Sequence, residues 1–236
     1  MNTPLTGSPA GRVAIVTGGS RGVGRATIHR LAGRGYAVVV NYLHDQRAAE
    51  STVEAILADN GAAVAVRADV ADALDVERLF AETIETFGGI DVVVHAVGGR
   101  ITATAVAEAD LDDFDTLLRI NTRATFIVNR EAARHLRNGG AIVNLSSAVD
   151  GSSLPIYGLY AATKAATDVL TRALAAQLRP RDVTVNAVSI EVDRPCAPGI
   201  VADLVVDLLS DHGHRLTGHV LRIDDPRPVQ SSPRQR

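Results

Sequence analysis

Tyr160 and Lys164 are the residues whose types and spacing bear most directly on chemistry. They stand four apart within Tyr157 to Leu178, a stretch whose pattern predicts a helix, so both fall on one face, a turn apart. A phenol titrates at about 10 in water, and an adjacent ammonium, by stabilising the phenolate, draws that value down. A tyrosine tuned in this way can give a proton to a carbonyl oxygen as hydride arrives, or take it back in reverse. Taken alone, such a pair is more often an ordinary helix surface. Tyr157 is a competitor, but four residues on lies Ala161, with no cation to tune it. Ser147 precedes Tyr160 by thirteen residues, just past a predicted strand, where a hydroxyl can hold a substrate oxygen or simply bond its own backbone. Asn121 lies mid-helix, a poor place for asparagine, which fits either a functional role or a cap or kink.

A second constellation is Thr17-Gly18-Gly19-Ser20-Arg21-Gly22-Val23-Gly24, between a predicted strand and a predicted helix. Gly18, Gly22 and Gly24 let the backbone turn tightly and approach a pyrophosphate. The helix start offers free N–H groups and a positive dipole end to the phosphates. Glycine also serves ordinary turns; the position inside a strand–helix–strand unit is what gives the loop its meaning.

The elements that must position these groups follow from the hydrophobic pattern. Short apolar runs at Arg12–Thr17, Tyr36–Asn41, Ala63–Ala68, Asp91–His95, Ala141–Leu145, Val183–Val188 and His219–Ile223 predict strands. Helical spacing covers the stretch from the glycine loop to Ala32, Asp45–Asp59, Asp72–Phe87, Leu111–Leu136, Tyr157–Leu178 and Ile200–Ser210. Leu111–Leu136 reads as one long helix stopped by Gly139-Gly140. Alternating strands and helices predict an α/β fold: one doubly wound, Rossmann-type parallel sheet in three αβα layers. The expected layout is a tail over 1–11, one domain over 12–224, and a disordered tail over 225–236, rich in Pro, Ser, Arg and Gln.

Composition bounds the rest. The 236 residues suit one domain, and a hydrophobic content of 46% with only 3% aromatics means aliphatic side chains fill the core. A net charge of −3 argues against nucleic acid as a partner, and no apolar run spans a bilayer. Cys196 is the only cysteine, which excludes an intrachain disulfide and suits a reducing cytoplasm; no motif frames it as a nucleophile. No metal site is expected.

Taken together, Thr17-Gly18-x3-Gly22-x-Gly24, Asn121, Ser147 and Tyr160-x3-Lys164 resemble the short-chain dehydrogenase/reductases in order and spacing. Asn41-Tyr42, Asn121-Thr122-Arg123 and Arg130-Glu131-Ala132 are similar to the branch containing 3-oxoacyl-carrier-protein reductases and naphthol reductases. The resemblance implies Tyr160 as acid and base, Lys164 as its tuner and a ribose ligand, and Ser147 as donor to the substrate oxygen. It also implies Asn121 as holder of a water that links Lys164 to solvent. Cofactor contacts carry over to Gly18, Ser20, Arg21, Gly22, Val23, Gly24, Asn41, Tyr42, Ala96, Gly98 and Val192, with Asp69-Val70 against the adenine. The family's tetramer and dimer contacts imply a homodimer or homotetramer through helices 111–136 and 157–178.

The expected cofactor is NADPH, with NADH disfavoured. Asn41-Tyr42 lacks the acid that would hold ribose hydroxyls, and Arg21 supplies a cation where a 2′-phosphate would lie. Asp45 competes if the turn bends back. Four departures from the family pattern stand out. His95-Ala96-Val97-Gly98 follows strand four, and His95 reads as structural. Ile190-Glu191 replaces a Pro-Gly pair. Only Glu191 to Gly199, stiffened by Pro195 and Pro198, bridges to the next helix, so the substrate lid is short. Asp224-Asp225-Pro226 replaces the family's terminal Asp-Gly-Gly. The expected activity is reduction of a small-molecule or carrier-tethered ketone. The alternatives are reduction of an imine or activated alkene at the same site, or a weakly catalytic NADP(H)-binding regulator.

Overall fold

The computed structural model describes residues 11–99, 103–149, 154–192, 196–210 and 213–223. Residues 1–10 of the expected tail over 1–11, all of the expected tail over 225–236, Asp224 and Pro195 lie outside the described residues.

Seven strands are formed: β1 (Val13–Thr17), β2 (Ala37–Tyr42), β3 (Ala62–Arg67), β4 (Ile90–His95), β5 (Leu136–Ala148), β6 (Thr184–Glu191) and β7 (Val220–Ile223). They make one parallel sheet in the order β3-β2-β1-β4-β5-β6-β7. The helices are α1 (Gly22–Ala32), α2 (Gln46–Ala58), α3 (Ala73–Phe87), α4 (Leu111–Leu117), α5 (Ala124–His135), α6 (Leu154–Leu178) and α7 (Pro198–Leu208).

Both faces of the sheet are covered, as the continuous apolar strands require. On one face Val13, Ile15, Val93 and Ile142 pack against Leu79 and Phe80 of α3, Ile127 and Val128 of α5, and Ala175 of α6. On the other, Ala14, Val16, Val94 and Val143 pack against Ile28 and Leu31 of α1, Ile56 of α2, and Val201 and Val205 of α7. The chain direction across the sheet reverses at β1, which lies between β2 and β4. In such sheets the crevice outside the carboxyl ends at that switch point takes the ligand.

Three local expectations are corrected. The long helix over 111–136 is interrupted by a π-helical turn, Leu118–Arg123, which joins α4 to α5 through backbone that stays helical at both junctions. Gly139-Gly140 is not a helix stop. The helix has already ended as Leu136 turns extended, and the glycines sit in β5 where its register against β4 shifts. Gly139 takes φ +76°, and a Cβ on Gly140 would lie 2.7 Å from the Asp91 carbonyl oxygen. Finally, β6 runs on through Ile190-Glu191, paired with Ser147-Ala148 of β5. A proline there could not continue a strand in this way.

Candidate active site

The glycine loop follows β1 and opens α1 at the switch point. Gly18 and Gly22 take φ of +65° and +55°, which favours glycine. A Cβ on Gly24 would run into the Gly18 carbonyl oxygen, so the first turn of α1 packs directly on the loop. Arg21 caps α1 with its backbone alone, and the first turn carries no acid. The leading N–H groups at Gly22, Val23 and Gly24 therefore lack intrahelical acceptors and carry the positive dipole end. These residues fit a pyrophosphate. Ser20 is buried and Arg21 exposed beside it.

At the end of β2, Asn41 is turned inward. Its amide nitrogen donates to the carbonyls of Val66 (3.3 Å) and Ala68 (3.1 Å), and its Oδ1 accepts from the Gly18 N–H at 3.4 Å. Asn41 thus braces the loop against β3. Tyr42 is also buried, packed among the apolar residues under α1 and α2. The Asp45 carboxylate caps α2, accepting from the Ala48 N–H at 3.0 Å. After β3, Asp69 pairs with Arg119 of the π-turn at 2.5 Å and accepts from the Ala71 N–H, while Val70 is buried. Ala96 is held by its N–H to the Thr17 hydroxyl (3.1 Å), and Val192 by its N–H to the Ala148 carbonyl (3.2 Å).

The four polar residues singled out by spacing gather at the carboxyl ends of β4 and β5. Tyr160 and Lys164, on the inner face of α6, are 6% and 3% exposed. The Lys164 ammonium donates to the carbonyls of Leu145 (3.0 Å) and Val97 (3.5 Å). Gly98 leaves space over it, since a Cβ there would lie 3.4 Å from Nζ. Ser147 donates to the Ile190 carbonyl at 2.7 Å and also hydrogen-bonds with the Tyr160 phenol. Asn121 is fully buried in the π-turn. Its Oδ1 accepts from the Gly99 N–H (2.8 Å) and its amide donates to the Thr163 hydroxyl (2.9 Å), which itself donates to the Tyr160 carbonyl (2.8 Å). Asn121 therefore clamps the loop after β4 to the helix that carries Tyr160 and Lys164.

Burial dominates the electrostatics. It pushes the Tyr160 phenol above its ordinary value, and the hydrogen bond with Ser147 opposes this. A lowered value set by Lys164 was the expectation; in the protein by itself burial sets the direction instead. Lys164 is drawn down from 10.5 to about 8, again by burial, with Asp168 pulling the other way. His95 is wholly buried. Its Nδ1 shares a 2.9 Å hydrogen bond with the Thr17 hydroxyl, and burial plus the Lys164 charge lowers it to about 3, so it is neutral. His95 is structural.

One signal was present in the composition and was overlooked. Lys164 is the only lysine in the chain; the other 23 of its 24 basic residues are arginine. Arginine is a poor substitute at this position. Arginine's five-donor fork cannot be satisfied by two carbonyls in a closed site, and it stays charged in any environment.

A dinucleotide cradle at the switch point and, beside it, a buried tyrosine and lysine with a part-buried serine define a nicotinamide-dependent oxidoreductase. Residues 18–192 match the family model described as enoyl-(acyl carrier protein) reductase. The chain is 41% identical over 183 residues, 77% of its length, to a hydroxynaphthalene reductase-like protein, Arp2, of Metarhizium majus, covering 68% of that protein. Two solved structures are also similar. One is a short-chain dehydrogenase from Burkholderia cenocepacia in complex with NADP, with TM-score 0.83 and 34% identity, covering 92% of this chain and 98% of that one. The other is the reductase LugOII, described as catalysing keto-reduction at C1 during lugdunomycin biosynthesis, with TM-score 0.82 and 33% identity, covering 91% and 96%. The chain belongs to the short-chain dehydrogenase/reductase family.

Lys164 leaves a thermodynamic signature. Its folded value lies below its unfolded one, so its penalty is fully present below pH 8. The penalty is relieved as pH rises from about 8 to 10.5. In urea unfolding, the stability difference between Lys164→Met and wild type is expected to move in wild type's favour by about 3 kcal/mol across that window. A pH-independent difference would contradict the assignment.

Proposed function

We propose that the chain is an NADPH-dependent carbonyl reductase with Tyr160 as proton donor, acting on a ketone of a hydroxylated polycyclic aromatic compound. The observation that carries this reading is the convergence of the Ser147 and Tyr160 hydroxyls above the buried Lys164 ammonium. Reduced nicotinamide, when bound, supplies a hydride. Ser147 holds the carbonyl oxygen and Tyr160 delivers a proton to it from the same side. The Lys164 ammonium stabilises the phenolate left behind, which is otherwise disfavoured by burial. Gly22, Val23 and Gly24 would hold the phosphates by their N–H groups, and Lys164 the nicotinamide ribose. The substrate class is taken from the hydroxynaphthalene reductase-like relative and from the keto-reduction ascribed to LugOII.

NADPH is favoured over NADH because Arg21 is exposed at the loop and the nearest acid, Asp45, is occupied by its helix cap. Helices α5 and α6 also present Phe126 and Val169, 51% and 59% exposed, beside an apolar groove that includes Leu118 and Leu170. The groove supports a homodimer or homotetramer formed through this face.

Tyr160→Phe is expected to lower turnover of a bicyclic aromatic ketone by roughly 10²–10⁴-fold while NADPH binding, read by nicotinamide fluorescence, stays within a factor of about three. Retained turnover would sink the role of Tyr160, and absence of NADPH binding by the wild type would sink the reductase reading. Arg21→Ala should weaken NADPH by about tenfold and leave NADH unchanged; equal loss for both would remove the phosphate argument. By sedimentation, Phe126→Asp with Val169→Asp should yield monomer, and an unchanged species would place the interface elsewhere.

A further inference from the structure

Lys164 and Asp168 each present an incomplete environment. The Lys164 ammonium is enclosed with two backbone carbonyls as its hydrogen-bond acceptors and no direct ion pair among the described residues. Asp168 lies four residues on along α6 and has a carboxylate oxygen, Oδ1, that is buried without a hydrogen-bond partner. Residues four apart on a helix are neighbours on one face. A buried charge without a counter-charge, and a buried carboxylate oxygen without a donor, are both costly. Placed a turn apart, each offsets the cost of the other.

We propose that Asp168 is a positioning residue of this site: its carboxylate is the counter-charge that keeps the buried Lys164 amine in its ammonium form. The groups around Lys164 support this. From β4 it is faced by His95, which is neutral, and from β5 by the Leu145 carbonyl and Ser146. From the π-turn comes the uncharged Asn121, and from its own helix Tyr160. Asp168 is the one charge acting to retain the proton. The carboxylate also borders a cavity of about 300 Å³ shared with Ser147, Ser189, Arg172 and Arg222. Asp168 and the substrate-facing serine thus line one cavity. The inference deepens the reductase reading, because a neutral amine at 164 could not stabilise a phenolate.

The test exploits the single lysine. Protein labelled with side-chain ¹⁵N-lysine gives one side-chain signal, whose titration reports Lys164 directly and needs neither cofactor nor turnover. Asp168→Asn is expected to lower the midpoint by on the order of one pH unit. Asp168→Glu should restore most of it, and thermal melts should confirm that both variants are folded. The alkaline limb of kcat against a ketone should move the same way in Asp168→Asn. An unchanged lysine midpoint in folded Asp168→Asn would overturn the proposal. If the midpoint moves but wild type shows no reductase activity, the counter-charge stands and the reductase reading fails.

Discussion

The ammonium of Lys164 is held 3% exposed between α6 and the ends of β4 and β5, where an unsupported charge would cost several kcal/mol. Much of the surrounding structure follows from that constraint. The Val97 and Leu145 carbonyls must point at it, which sets the course of the chain leaving β4. Gly98 lies against the ammonium, where a Cβ would come into contact with it at 3.4 Å. His95 must stay neutral, and its hydrogen bond to Thr17 holds it while burial and the lysine charge keep it so.

The inner face of α6 is polar over several turns for the same reason. Thr163, Thr167 and Thr171 follow one another at intervals of four, all buried. Asn121 meets Thr163, Thr125 lies 3.4 Å from Thr167, and Asn144 of β5 donates to Thr171 at 3.0 Å. An apolar helix face could slide or rotate against its neighbours at little cost. A face of matched hydroxyls and amides cannot, because each displaced pair leaves a buried polar group unsatisfied. This ladder holds Tyr160 and Lys164 in register with Ser147. The π-turn belongs to it: it carries Asn121, which bonds both the loop after β4 and α6.

On the phosphate side, rigidity comes from the backbone. Asn41 and the short approach of Gly24 to Gly18 tie the glycine loop to β2, β3 and α1. The Asp69–Arg119 pair links the end of β3 to the π-turn. The loop that offers N–H groups and the turn that carries Asn121 are thus parts of one braced rim along the crevice.

The order of strands and helices was legible in the sequence, as were the glycine loop and the shared face of Tyr160 and Lys164. These rest on hydrophobic periodicity and on spacings of a few residues, which are local properties. Edges that depend on distant partners were not legible. The extension of β6 through Glu191 rests on pairing with β5, the shift at Gly139-Gly140 on register against β4, and the π-turn on contacts with α6 and the loop after β4. The lone lysine was legible in the composition but became meaningful only once 23 arginines were seen elsewhere. Only the tertiary structure decided the direction of the Tyr160 shift, the inward turn of Asn41 and the enclosure of the Lys164 ammonium between two carbonyls. Desolvation and buried charge are set by everything packed around a group, whereas a sequence records only what stands beside it along the chain.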